Sequence, residues 1–253
     1  VYGSADVLEA MEAETYRLDA LLAAQKDGSE IAAVNDGAEA VSEETAALLR
    51  RALDIAAETD GAYDPTVYPL MRAWGFADGS YRVPEQTELD ALLERTGWKN
   101  VSVDGTAVSM PEGFALDLGG IGKGYAAGRC KEILKAHGVT SALLSLGGNV
   151  SALGSKPDGT AWTVAIENPD GGAYLGTVQI TDQCVVTSGG YQRYFEQDGV
   201  RYWHILDPET GKPARSGMKS VTIVSADDTL ADALSTALFV MGPERAADFW
   251  RVH

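Results

Sequence analysis

Apolar positions in residues 6–25 (DVLEAMEAETYRLDALLAAQ) recur at helical spacing, with Leu8, Met11, Tyr16, Leu18, Leu21 and Leu22 on one stripe and acidic residues in the opening turn. Residues 42–59 repeat the theme: Ser42, followed by Glu44 and Thr45, reads as a capped start, and Leu48, Leu49, Leu53 and Ile55 form an inner face. The pattern predicts two amphipathic helices. The next stretch, TDGAYDPTVYPLMRAWGF (59–76), is so rich in Gly, Pro and aromatic residues that it reads as irregular. A short helix around Glu88–Arg95 leads to NVSVDGTAVSM (100–110), where alternating valines around Asp104-Gly105 predict a β-hairpin.

From residue 141 the period changes to that of strands: SALLSLGGNV (141–150), AWTVAIE (161–167), GTVQITDQCVVTSG (176–189), RYWHILDP (201–208) and SVTIVSA (220–226). An Ala/Leu-rich helix, DDTLADALSTALFVMG, closes the pattern and is expected to end at Gly242. Hairpins without strict strand–helix alternation point to an α+β fold with mixed or antiparallel sheets, not a doubly wound parallel sheet. With no linker-like run in its 253 residues, the chain is expected to form one continuous domain over 1–253.

Composition narrows the function classes. A formal net charge of −17 argues against nucleic acid and anionic membrane surfaces as partners, because the summed field repels both. Cys130 and Cys184 lie in separate apolar segments without metal-ligand spacing and read as buried small hydrophobes. No apolar run approaches the roughly 20 residues that cross a bilayer. The chain opens at Val1, not methionine, so it is expected to be either processed or trimmed, and any signal peptide or lipid-anchor cysteine would have gone with the earlier segment.

The chemistry-bearing stretch is DLGGIGKGYAAGR (117–129). It fails as a P-loop: Gly122-Lys123 is followed by Gly124 where a Ser or Thr is needed, and Asp117 stands where the first glycine belongs. As a dinucleotide fingerprint it lacks the surrounding strand–helix–strand unit. What survives is physical: glycines that let backbone approach a ligand, a helix expected near Tyr125 aiming free N–H groups at the turn, and the charge of Lys123. Anion binding and a plain tight connection both fit.

Asp232 and Thr236, four apart on the closing helix, offer hard oxygen donors suited to magnesium, or simply a solvated face. His204, in RYWHILDPETGKPA, is either packed in a sheet core or placed at a sheet edge beside a site. Tyr63, Asp64, Trp74 and Phe76 line either a pocket for a planar ligand or an ordinary packed loop. No G-x-S-x-G elbow supports a serine hydrolase.

Taken in order, SEIAAVN (29–35), TDGAYDPTVYPLMRAWGF, DLGGIGKGYAAGR, SLGGNV (145–150), TSGGYQRYF (187–195), HILDPETGKPA (204–214) and VTIVSADDTLADALSTALFVMG (221–242) resemble the FAD:protein FMN transferases, the ApbE family, over more than 200 residues. The resemblance implies a single α+β domain of the T-fold-related type and magnesium-dependent transfer of FMN from FAD to a Ser or Thr hydroxyl of an acceptor protein. The acceptor would be a subunit of a membrane redox complex, met at the extracytoplasmic face of the cell membrane. Hydrolysis of FAD to FMN and AMP, or flavin binding without catalysis, are the alternatives.

Carried over by motif, Ala62, Tyr63, Asp64, Asp117, Lys123 and Leu206 would contact the flavin nucleotide. Gly120, Asp232 and Thr236 would hold magnesium, with Ser235 a further contributor. Lys123 would stabilise the departing AMP, and His204 would serve as base with Asp64 the runner-up. Relatives begin with a Met-Gly-Thr strand that this sequence, opening VYGSADVLEA, does not show.

Overall fold

The computed structural model describes residues 5–253; the VYGS opening, on which the Met-Gly-Thr comparison falls, lies outside them. The chain first builds a helical layer. Helices α1 (Ala5–Leu22), α2 (Glu30–Asn35), α3 (Glu43–Glu58), α4 (Tyr68–Ala73) and α5 (Gln86–Leu93) precede a small hairpin of β1 (Ser102–Asp104) and β2 (Ala107–Ser109). The Ser42 cap forms as the sequence predicts, its side chain accepting from Thr45 N. The hairpin register, Asp104 opposite Ala107, puts Gly105 at φ +57° in the turn.

Two expectations for this layer change. In α1 the buried stripe is Val7, Met11, Leu18 and Leu22, whereas Leu8 (47% exposed) and Tyr16 (65%) face solvent. The segment read as irregular contains α4, because Pro69 sits in the first turn, where its missing N–H costs nothing.

The second layer is a four-stranded antiparallel sheet in the order β10 (Ser220–Ser225), β7 (Cys184–Gly189), β4 (Asn149–Leu153), β3 (Ala142–Leu146). The stretch read as one strand over 141–150 is thus the β3–β4 hairpin, turned at Gly147-Gly148, which both have positive φ. Likewise 176–189 divides into β6 (Gly176–Ile180), paired with β5 (Trp162–Ile166), and β7. The division follows from Asp182, at φ +51°, which breaks the run.

β7 is apolar on both faces because both faces are covered. Cys184 and Val186 pack with Ile223, Ala231 and Leu238 beneath the last helix, while Val185 packs with Ala152, Val164 and Ile180 under the β5–β6 hairpin. Both cysteines are free and buried, as their apolar setting predicts. A third hairpin joins β8 (Tyr194–Gln197) to β9 (Val200–Trp203). The predicted strand at 201–208 therefore ends at Trp203, and His204–Pro208 continue as loop, in which Leu206 bridges Pro213.

Two long helices, α6 (Gly119–Ala136) and α7 (Asp228–Val252), pack on each other and on the sheet, α7 against β7 and β10, α6 against β3 and β4. α6 does not wait for Tyr125: the glycine-rich stretch is itself helical from Gly119. Glycine in a helix costs about 1 kcal/mol per residue relative to alanine, and packing explains why it is present. A Cβ on Gly124 would lie 2.8 Å from the Asp232 Cβ and closer still to the Asp228 carbonyl oxygen, and one on Gly120 would lie 3.1 Å from the Tyr63 ring.

α7 is capped by Asp227, which accepts from Leu230 N at 3.0 Å. Its first helical segment ends at Gly242, as the sequence predicts. The chain turns there at φ +78°, and Pro243 starts a further helical segment to Val252. No helix among the described residues is long and apolar enough to cross a membrane.

The α6–α7 contact gives a stability prediction. Gly124→Ala forces the helices apart and should lower unfolding free energy by about 1–3 kcal/mol, read as a shifted denaturant midpoint; an unchanged midpoint would mean the helices have room to spare.

Candidate functional site

A cavity of about 740 Å³ opens where the N-terminus of α6, the first turns of α7, the 62–68 turn and the segment after β9 converge. Ala62, Tyr63, Asp64, Asp117, Gly120, Lys123, His204, Leu206, Asp232 and Thr236 all line it, although they are spread over 175 positions of the sequence, from 62 to 236. Ser235 stands behind the wall instead: it is fully buried, donates to the Asp232 carbonyl at 2.8 Å and lies 2.7 Å from Ser188 Oγ. Trp74 also turns away, giving its indole N–H to the Gly211 carbonyl, while Phe76 reaches the cavity.

Local hydrogen bonds fix the acids. Asp64 is buried; its Oδ1 accepts from Thr66 N (2.8 Å) and Thr66 Oγ1 (2.6 Å), and its Oδ2 from Trp98 N (3.0 Å). Burial raises its pKa, and those donors oppose the rise. Asp117 accepts from Gly119 N at 2.7 Å and so ties off the start of α6; burial raises its pKa, countered by that bond and by the charges of Arg193 and Lys123.

Asp232 is held deepest. Its Oδ2 accepts from Gly124 N at 2.8 Å, the amide whose regular helical acceptor is the Gly120 carbonyl, and its Oδ1 lies 3.3 Å from Lys123 Nζ. Thr236, one turn on, brings its hydroxyl near Gly120, where a Cβ would lie 3.9 Å from Thr236 Oγ1. Asp232 and Thr236 therefore set a carboxylate and a hydroxyl beside Gly120.

His204 is held by its main chain and its ring together. The Arg193 carbonyl accepts from His204 N at 3.1 Å and from Nδ1–H at 3.1 Å, which leaves Nε2 as the unprotonated nitrogen. The Phe76 ring meets the imidazole edge-on at 6.4 Å. Burial is the main reason the imidazole pKa falls to about 4, helped by the nearby Arg193 and Lys123 charges. His204 belongs to the cavity wall and is neutral near neutral pH.

The structure adds Asn149 and Arg193, which sequence reasoning missed, and shows what the expected contact Tyr63 offers. Asn149 and Tyr63 are buried in the cavity wall, and the Asn149 amide nitrogen and the Tyr63 hydroxyl have no hydrogen-bond partner among the described residues. Burial raises the Tyr63 phenol well above its ordinary pKa, so it stays a donor. Arg193 lines the same space, its guanidinium bonded to the Phe76 carbonyl. Asn149 and Arg193 both lie inside stretches that carry the family resemblance, SLGGNV and TSGGYQRYF, but neither has a residue pattern that marks a role.

Two cations, two unpaired buried donors and a helix N-terminus facing one cavity make a pocket for an anionic ligand. The α+β scaffold and this pocket together define the class. The ApbE family profile matches residues 1–253. The FAD:protein FMN transferase of Treponema pallidum (strain Nichols) is 38% identical over 253 residues, covering 91% of this chain and 70% of that protein. The protein of the same description from Escherichia coli (strain K12) is 34% identical over 98% of this chain and 74% of its own length. Among solved structures, the ApbE protein of Thermotoga maritima superposes with a TM-score of 0.92 at 38% identity, covering 96% of this chain and 81% of that one. The apo flavinyl transferase ApbE of Pseudomonas stutzeri gives 0.86 at 35%, covering 98% and 80%. The chain belongs to the ApbE family.

The half-buried imidazole gives a prediction. An NMR titration of His204 should show a midpoint near 4, not the ordinary 6.5. Because the folded value is the lower one, the unfolded chain takes up the proton first as pH falls. The stability His204 contributes is complete above about 6.5 and lost as pH drops toward about 4. A midpoint near 6.5 would mean the ring is open to water.

Proposed function

We propose that the protein is an FAD:protein FMN transferase. It takes FAD and magnesium, transfers FMN to a Ser or Thr hydroxyl of an acceptor protein and releases AMP. The observation that carries this reading is the convergence of Lys123, Arg193, the unpaired Asn149 and Tyr63 donors and the α6 N-terminus on one cavity, in a chain whose relatives bear that name. The acceptor in this reading is a subunit of a membrane redox complex, met at the extracytoplasmic face of the membrane.

Magnesium fits the residues present. No three His, Cys, Asp or Glu side chains cluster as a metal site among the described residues. The patch of Asp232 Oδ1, Thr236 Oγ1 and the Gly120 carbonyl offers oxygen only, and too few ligands to close a coordination sphere. That suits a small hard cation that keeps water and phosphate oxygens as its other ligands. Held there, the ion would neutralise pyrophosphate charge and make phosphorus more electrophilic.

The chain's own residues do the rest. The α6 N-terminus and Lys123 draw the pyrophosphate to the end of the cavity beside Asp232, with Asn149 and Tyr63 free to donate to its oxygens. His204 Nε2 takes the proton from the acceptor hydroxyl as its oxygen bonds to the FMN phosphorus. The bond from that phosphorus to the bridging oxygen then breaks, and AMP leaves with that oxygen. Arg193 keeps the imidazole usable by fixing its tautomer through the main-chain carbonyl. Asp64, with both oxygens already accepting hydrogen bonds, acts by holding the 62–66 turn and hence Tyr63 in place.

The test is mass spectrometry of a competent acceptor domain incubated with FAD and magnesium. The expected outcome is a mass gain of one FMN, abolished in Asp232→Ala while that variant still binds flavin. FMN and AMP released at a rate indifferent to acceptor would reassign the protein to FAD hydrolysis, and unchanged transfer by Asp232→Ala would remove the metal assignment.

A further inference from the structure

Lys123 occupies a position that the transfer reading alone does not explain. Its ammonium does not point freely into the cavity; it lies 3.3 Å from Asp232 Oδ1 and 3.5 Å from the Gly119 carbonyl, with its Cδ packed near Gly147. Asp232 Oδ1 is the carboxylate oxygen left over once Oδ2 has accepted from Gly124 N, and so the one a metal ion would need. The lysine side chain remains 45% exposed, whereas Asp232 is 3% exposed, so one partner is fixed and the other can swing away.

From this arrangement we infer that Lys123 is a resident counter-cation for Asp232, one that keeps the metal site weak until a pyrophosphate arrives. The inference rests on the magnesium reading above. A nearly buried carboxylate needs a compensating charge in the absence of substrate, and the ammonium supplies it. An ammonium and a divalent cation cannot share one carboxylate oxygen without strong repulsion, so binding the ion requires Lys123 to leave. A pyrophosphate at the α6 N-terminus gives the ammonium a new anionic partner within reach of the same flexible side chain. The two bound species then favour one another: the phosphate that draws Lys123 off Asp232 strengthens the metal site, and by reciprocity the metal strengthens phosphate binding. Lys123 is thus a residue that couples the order of binding, in addition to stabilising the leaving group.

The experiment measures Mn²⁺ binding without nucleotide, by the EPR signal of free Mn²⁺, on the wild type and on Lys123→Gln, Lys123→Arg and Asp232→Asn. Lys123→Gln should bind Mn²⁺ at least about tenfold more tightly than the wild type, the size expected for removing a unit charge a few ångströms from a divalent ion in a water-like medium. Lys123→Arg, which keeps the charge, should behave as wild type, and Asp232→Asn should lose binding in both the wild-type and the Lys123→Gln background. If Lys123→Gln binds no more tightly than wild type while Asp232→Asn still abolishes binding, the metal site stands and the counter-cation role is wrong. If Asp232→Asn leaves Mn²⁺ binding intact, the metal assignment itself fails and this inference with it.

Discussion

The close approach of α6 and α7 is the contact on which the site depends. Two helices can come this near only where one of them presents no side chain, and Gly124 presents none to the Asp228–Asp232 turn. The reward is a hydrogen bond from the Gly124 amide to a carboxylate buried to a few per cent exposure. A second ion pair, Lys131 with the buried Asp228, fastens the same two helices further along. Pinned at these points, the N-terminus of one helix and the Asp232–Thr236 face of the other meet at a fixed spacing. A shift of an ångström there would separate the oxygens that a metal ion has to bridge.

Around that junction the protein manages an electrostatic problem. Asp64, Asp117 and Asp232 lie near one another in a chain with net charge −17, and Tyr63 feels all three. Each acid has its own solution: backbone and hydroxyl donors for Asp64, the start of α6 for Asp117, an amide and an ammonium for Asp232. The imidazole of His204 shares the cavity without adding positive charge, because burial and its cationic neighbours keep it neutral. The result is a pocket rich in acids that still offers donors and cations to an anion.

Local rules made much of the fold legible: the Ser42 cap, the Asp104-Gly105 hairpin, the helical stripe of α3 and the strand character of the second half. What they missed was tertiary in origin. The glycines of 119–124 read as a turn because their helix cost is intrinsic, while the gain that outweighs it comes from Tyr63, Asp228 and Asp232, distant in sequence. Gly242 does end the helical segment it closes, and what went unread is the further segment that Pro243 opens. At the site, Asp117, Lys123, His204, Asp232 and Thr236 were nameable because they lie in motifs of the family. Tyr63 was nameable in the same way, whereas Asn149 shows its importance only through a buried donor left without a partner among the described residues, which no sequence pattern records.

The central claim is that the α6–α7 junction is where a metal ion and a pyrophosphate meet. A crystal structure with FAD and Mn²⁺, located by the anomalous signal of manganese, tests it most directly. The account predicts one manganese bound by Asp232, Thr236 and the Gly120 carbonyl, sharing pyrophosphate oxygens at the N-terminus of α6, with Lys123 moved from Asp232 onto phosphate. Manganese away from Asp232, or a pyrophosphate bound away from the start of α6, would contradict it.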